Sequence, residues 1–215
     1  MSLPEVYNAL VTGLKETTPL EYIGVFAGII SVLFQRKANI LVYPIGLVNT
    51  IIYVYISIKG SLFGEASVNF YYTVMSIYGW ILWARKDEKK ELLLNITYST
   101  KKEWVFQLSF FAAFYIAIYA ALVFLKQAFY SNTIPWADAF ASASAYTGMW
   151  LLAKKKIESW YWWIVTNTAS IPLYFVKGYV FTSFQYVVLL ALAFAGLVSW
   201  MKKDKSKKAA AFTHE

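Results

Sequence analysis

The sequence predicts an all-α membrane protein whose seven transmembrane helices form a 3+1+3 parallel repeat, and three observations carry that prediction. Of 215 residues, 59% are hydrophobic, 20% aromatic and only 15% charged. The mean hydropathy of +0.49 is more than a solvated domain can hide from water. The apolar residues fall into seven runs, each near the roughly 20 residues that a helix needs to cross about 30 Å of hydrocarbon. The chain also repeats itself across its two halves.

In chain order, 1–20 is a short N-terminal segment. Its Pro4, Glu5, Lys15, Glu16 and Pro19 do not read as a cleavable secretion signal. Spans near 21–35, 39–57 and 62–84 make a first three-helix repeat over 21–84. Residues 85–133 hold a cytoplasmic loop and a linking helix near 104–125, and the loop "ARKDEKKELLLNITYSTKKE" reads as a solvated linker. Spans near 134–153, 157–176 and 180–201 make the second repeat over 134–201, followed by a basic cytoplasmic tail, 202–215.

Lys and Arg in alternate breaks set the orientation. Arg36, Lys37, Arg85, Lys86, Lys89, Lys90, Lys101, Lys102, Lys154 to Lys156, Lys202, Lys203, Lys205, Lys207 and Lys208 share one side, against Lys15, Lys59, Lys126 and Lys177 on the other. The crowded side is expected in the cytoplasm, with the N-terminus outside. The net charge of +8 is then a topology signal, and no nucleic-acid partner is expected.

The repeat emerges when "RKANILVYPIGLVNTIIYVYISIKG" is laid over "KKKIESWYWWIVTNTASIPLYFVKG". Asn49 falls on Asn167, Tyr43 on Tyr161, Lys59 on Lys177 and Gly60 on Gly178; with one residue slipped, Trp83 falls on Trp200. An even number of spans separates the copies, so both have the same orientation. Parallel repeats of this kind place a transport site between the halves near the midplane.

An asparagine deep in a bilayer costs on the order of 1–3 kcal/mol for each unsatisfied group. Asn49 and Asn167 are therefore either a helix-to-helix bond or polar arms facing a cavity. Trp160, Trp163 and Asn167 share a helical face, whereas Tyr161 and Trp162 suit the lipid interface. Trp163 is the ring expected to stack on a ligand, unless it is ordinary core. Asn69, Tyr72, Ser76, Trp80 and Trp83 make a polar-aromatic stripe on the third span. Asp138 and Glu65, near the outer surface, are helix-start charges or an acidic lip that attracts a cation.

Several chemistries lack their residues. There is no cysteine, and the single histidine is His214 in the tail. No acid or histidine lies deep in a span, so proton or sodium coupling has little support. The seventh span has no lysine to anchor retinal, and no phosphate loop is present. No cofactor, no metal and no enzymatic activity are expected.

"NFYYTVMSIYGWILWARK" and "WYWWIVTN", with an Asp opening the fifth span, resemble the PnuC family of bacterial vitamin transporters. Its more specific marks are Tyr78, Gly79, Trp80 and Trp83, and the pair Trp163 and Asn167. The resemblance implies a homotrimeric inner-membrane protein of SWEET-like fold. It further implies facilitated diffusion of nicotinamide riboside, which a separate cytoplasmic kinase then phosphorylates and traps. Thiamine and riboflavin are carried by relatives, and a vitamin-binding component without transport is the alternative from another class. The residues fit a pyridinium nucleoside. Trp163 and Tyr72 are expected to sandwich the ring, and Asn49, Asn69 and Asn167 to clamp carboxamide and ribose.

Overall fold

The computed structural model describes residues 3–59, 63–86, 93–129 and 133–212. Gly60, Lys89, Lys90 and His214, named above, lie outside the described residues. Within them are eight helices and no strand: α1 (Leu3–Glu16), α2 (Pro19–Arg36), α3 (Val42–Lys59), α4 (Phe63–Ala84), α5 (Lys101–Phe129), α6 (Pro135–Ala153), α7 (Glu158–Val176) and α8 (Val180–Phe212). Helices α2 to α8 coincide with the seven expected spans to within a few residues, except that α8 runs on through much of the expected tail.

Local chemistry sets the boundaries. Thr18 and Glu21 form a reciprocal capping box and Pro19 opens α2, satisfying two orphan N–H groups where the chain turns. The short N-terminal segment forms α1, which packs on α8 and meets α2 at a 105° bend.

Val42–Lys59, Lys101–Phe124 and Val180–Lys207 are each long and apolar enough to cross a membrane, and α1 with α2 is so as a bent pair. Helices α4, α6 and α7 are more polar. Exposure accounts for the contrast between α5 and α6, since only 6% of the apolar window of α5 is buried while α6 is buried along most of its length. A helix that faces protein rather than lipid is free to carry Ser, Thr and Asn.

Packing runs α2 on α3, α3 on α4, then α6 on α7 and α7 on α8, with α5 laid outside α6. The two triplets meet through α4 on α6 and α2 on α8, a reciprocal pair: third helix of one against first helix of the other.

The turn after α2 and the turn after α6 are the same structure. Ala38 N–H donates to Gln35 O and Asn39 N–H to Phe34 O; Lys155 N–H donates to Leu152 O and Lys156 N–H to Leu151 O. Ala38 (φ 54°) and Lys155 (φ 53°) both take the left-handed conformation that closes such helix ends. These pairs differ by 117 residues, as do Tyr43 and Trp160, Gly79 and Gly196, Trp83 and Trp200. In each half an aromatic at the start of the second helix fills the space over a glycine of the third, so that a Cβ on Gly79 would overlap Tyr43 and one on Gly196 would overlap Trp160. This corrects the register read from sequence: Tyr43 matches Trp160, not Tyr161, and Asn167 matches Thr50, not Asn49. Identity in sequence aligns tyrosine with tyrosine, whereas packing equates a tyrosine with a tryptophan.

Those aromatics close one end of the bundle. Trp83 and Trp200 are buried with ring centres 6.2 Å apart. Tyr43 meets Trp83 edge-on at 5.1 Å and Trp160 meets Trp200 at 5.6 Å. The Trp83 indole N–H donates to Ala153 O (3.1 Å) and that of Trp200 to Gln35 O (2.9 Å). Each thus binds a carbonyl in the last turn of the other half's first helix, where intrahelical donors run out. The basic residues flanking these helix ends gather at this same end.

Residues 93–100 are not a free linker. Leu94 and Ile96 pack against the aromatic layer, Thr97 exchanges backbone bonds with Lys155 and Ile157, and the buried Glu158 carboxylate accepts from Ser99 N (2.8 Å) and Ser99 Oγ (2.9 Å). The polar sequence concealed an alternation of apolar residues that a short extended segment turns inward.

Candidate functional site

Above the aromatic layer, α4, α6, α7 and α8 converge on a polar-aromatic cluster. Trp163 of α7 packs against Gly148 of α6, where a Cβ would stand 3.3 Å from its indole. Across from it is Tyr72 of α4, ring centres 6.2 Å apart at 58°. Tyr146 of α6 lies edge-on to Tyr72 at 6.4 Å and stacks on Tyr71 at 4.2 Å, whose hydroxyl donates to Tyr146 O (3.0 Å). One turn along α7 from Trp163, Asn167 is only 5% exposed. Beyond it Tyr174 stacks on Tyr186 of α8 at 5.2 Å, and Tyr186 is hydrogen-bonded to Ser170 as well. Pro172 interrupts α7 here, removing one intrahelical N–H.

The cluster holds more hydrogen-bonding capacity than it uses. Trp163 Nε1 and the hydroxyls of Ser144 and Thr166 are buried without a partner among the described residues. Buried polar groups are nearly always paired. Unpaired donors and acceptors beside aromatic faces are the groups that a small polar molecule could engage.

The sequence-predicted residues divide sharply. Trp163, Asn167 and Tyr72 come together. The two rings touch, however, and do not stand the roughly 7 Å apart and parallel that a sandwiched ring would require at about 3.5 Å per face. Asn49 is elsewhere, its Nδ2 donating to Gly24 O on α2 (2.8 Å): the helix-to-helix bond, within the first triplet. Asn69 donates to Glu65 O of its own helix (2.9 Å). Ser76 is buried with its hydroxyl near Gly46 of α3. Trp160 and Trp83 belong to the aromatic layer.

Tyr78 (42% exposed) and Trp80 (40%) flank the outward apolar stripe of Phe70, Val74, Ile77 and Ile81, so they are not in the cluster. Trp162, expected at the lipid interface, is buried: α5 covers it, its indole donating to Gln107 Oε1 (2.9 Å) and its ring meeting Phe111 at 4.9 Å. Asp138 caps the start of α6, accepting from Ile134 N (2.7 Å), and pairs with Lys177. Glu65 lies within electrostatic reach of both, so these acids join α4, α6 and α7 at the end opposite the aromatic layer. Sequence reading missed Tyr146, Tyr174 and Tyr186, for single tyrosines in apolar helices carry no signal until the facing helix is known.

Replacing Asn49 by alanine is expected to cost about 1 kcal/mol of stability, the net worth of one neutral hydrogen bond, and to leave ligand binding within twofold. Thermal unfolding and a binding titration of the same preparation check both halves of that expectation.

A concavity of about 640 Å³ lies on the outer face of α2 and α3 between Phe26, Ile30, Pro44 and Val48. It presents almost no polar surface and cannot read a polar ligand.

A helical bundle with apolar outer faces, a polar-aromatic cluster inside it and repeated triplets is the architecture of an integral membrane protein. The family model described as nicotinamide mononucleotide transporter matches residues 18–202, and the chain belongs to this family of PnuC transporters. It is 23% identical over 186 residues to the riboflavin/roseoflavin transporter RibM of Streptomyces davaonensis, covering 86% of this chain and 85% of that one. It is 21% identical over 218 residues to the nicotinamide riboside transporter PnuC of Escherichia coli, covering 91% and 90%. A crystal structure of the vitamin B3 transporter PnuC superposes with a TM-score of 0.70 at 21% identity, covering 94% of this chain and 88% of that one. Members of this family are transporters and not enzymes.

Proposed function

We propose that the chain imports nicotinamide riboside by facilitated diffusion across a bacterial inner membrane, through the space between two three-helix halves. The observation that carries this reading is the cluster of Tyr72, Tyr146, Trp163 and Asn167, aromatic and amide-bearing but without a charged side chain. Electron-rich ring faces attract a pyridinium cation by about 0.5–2 kcal/mol each when water is excluded. An amide side chain offers both a donor and an acceptor to a carboxamide or a ribose hydroxyl. A site that holds its ligand without ion pairs also lets it go.

The reciprocal contacts of α4 with α6 and α2 with α8 support the 3+1+3 plan, with α5 as the linking helix. The gathering of Lys and Arg at the aromatic end supports a cytoplasmic location for that end and an outer location for the N-terminus. In this conformation the aromatic layer shuts the cytoplasmic side, and Tyr72 rests on Trp163 in the place a ligand ring would take. Binding then separates the two rings, and the trapping step belongs to a separate cytoplasmic kinase. We place the protein in a homotrimer, as the family resemblance implies.

The similarity to a riboflavin transporter favours riboflavin as the second reading, and thiamine, also a cationic aromatic, is the third. Titration of the purified protein with the three vitamins discriminates them. Nicotinamide riboside is expected to bind at least tenfold more tightly than either rival, and counterflow into protein-containing liposomes is expected to follow that ranking. Equal or tighter binding of riboflavin sinks the assignment, and binding without flux makes the protein a vitamin-binding component.

A further inference from the structure

The lysines at the aromatic end are not all solvated. Lys155 is buried, its Nζ donating to Leu94 O (2.9 Å) and standing 4.4 Å from the centre of a Trp83 ring. Lys203 of α8 donates to Lys37 O, and Lys207 lies one turn further along the same helix. These three lysines and Asn95 line a cavity of about 170 Å³ closed by Ala38, Leu94 and Ile96. No carboxylate is among its lining residues. Lys156 pairs with Glu103 and Lys177 with Asp138, away from the cavity, and the buried Asp204, which has an interaction of its own, is not among the lining residues.

Three cationic side chains therefore line one cavity, and no carboxylate lines it with them. Burial, together with the charges of Lys203 and Lys207, lowers the pKa of Lys155 below the usual lysine range. Like charges brought together at a cost are explained when an anion sits between them. At about 30 Å³ per water, the space takes a phosphate group with some of its water, and Asn95 supplies an uncharged donor. A larger group attached to that phosphate would have to extend through the open side.

We infer that this cavity binds a phosphate-bearing anion, a mono- or diester, through Lys155, Lys203, Lys207 and Asn95. The headgroup of an anionic lipid and a soluble phosphate monoester share this chemistry, and basic pockets at cytoplasmic helix ends are suited to it. Occupancy joins the 93–97 segment, the turn after α6 and the extension of α8. Leu94, Ile96 and Ala38 pack on the aromatic layer, so a bound phosphate braces the closed cytoplasmic end. That last consequence rests on the transport reading; the binding does not.

The full chain in detergent is melted with sodium phosphate, with adenosine 5′-monophosphate and with sodium chloride at matched ionic strength. Separately it is melted in phosphatidylcholine vesicles with and without phosphatidylglycerol. A melting temperature raised beyond the chloride control, with apparent affinity falling at least tenfold in the K203Q/K207Q double variant, is the expected result. A response to the soluble anions assigns the site to a metabolite, a response to phosphatidylglycerol alone assigns it to lipid, and either supports it. Lys155 also anchors Leu94, so K207Q alone, at an exposed position, serves as the milder variant, with helical circular dichroism reporting its fold. No shift beyond chloride in any arm, or a shift kept in full by K203Q/K207Q, overturns the inference.

Discussion

Trp163→Ala is expected to weaken nicotinamide riboside binding by at least about tenfold, and Asn167→Ala by about ten- to a hundredfold, the latter with little change in melting temperature. The indole contributes a ring face to a desolvated cation, worth up to about 2 kcal/mol, and 1.4 kcal/mol is a factor of ten. Its N–H is buried without a partner, so its loss breaks no bond within the protein. Asn167 acts differently. Removing its amide leaves a ligand carboxamide or hydroxyl unpaired in a buried site, at about 1–3 kcal/mol. Trp163 also packs on Gly148 and Tyr72, so its truncation is expected to cost stability as well, up to the roughly 3–5 kcal/mol of a packed tryptophan, whereas Asn167→Ala removes no packed ring and separates loss of binding from loss of fold. Isothermal titration and thermal unfolding of the two variants measure both quantities. Unchanged binding or uptake in both would show that the cluster is core and place the transport path elsewhere.

The helices were legible because each is bounded by chemistry that acts locally: charged runs, Pro19 and Pro135 at helix starts, Gly178 with φ 85° after α7. What lies between helices was less so. The sequence alignment of the halves favoured Asn49 over Asn167 because identical residues align, yet the turns Phe34–Asn39 and Leu151–Lys156 show that position 50 is the match. Thr50 is buried, with Oγ1 2.9 Å from that of Thr73 on α4, so the first half keeps its polar group satisfied internally. The second half leaves Asn167 without such a bond among the described residues, and this asymmetry suits an asymmetric ligand. Trp162 was misplaced for a related reason: helical periodicity gives a direction, but only the position of α5 decides whether that direction meets lipid or protein. The third-span stripe illustrates the limit most plainly. Asn69, Tyr72, Ser76, Trp80 and Trp83 span several depths and drift around the helix, and each ends in a different environment.

The closing layer supplies the second large effect. Trp83→Ala and Trp200→Ala are each expected to destabilise the protein by about 3–5 kcal/mol, since each deletes a fully packed indole. The matched substitutions should cost similar amounts because the two residues occupy equivalent places. The phenylalanine variants divide that cost. Trp83→Phe keeps most of the ring but leaves Ala153 O short of its donor, whereas in Trp200→Phe the carbonyl of Gln35 still accepts from Ala38 N–H (2.8 Å). A carbonyl stripped of its partner in a buried helix end costs about 1–3 kcal/mol, so Trp83→Phe is expected to be the more damaging of the two by about 1 kcal/mol. Because the rings touch at 6.2 Å, the double phenylalanine variant is expected to fall short of the sum of the singles, by the coupling that neighbouring residues show. On the proposed orientation, a weakened layer also opens the cytoplasmic side more readily. Flux through liposomes bearing Trp83→Phe should therefore rise or hold at temperatures where the protein remains folded, while that of Trp163→Ala falls. Additive phenylalanine costs would mean that the two indoles act as separate helix-end plugs. A flux loss in Trp83→Phe without unfolding would mean that the layer belongs to the ligand path and does not close it.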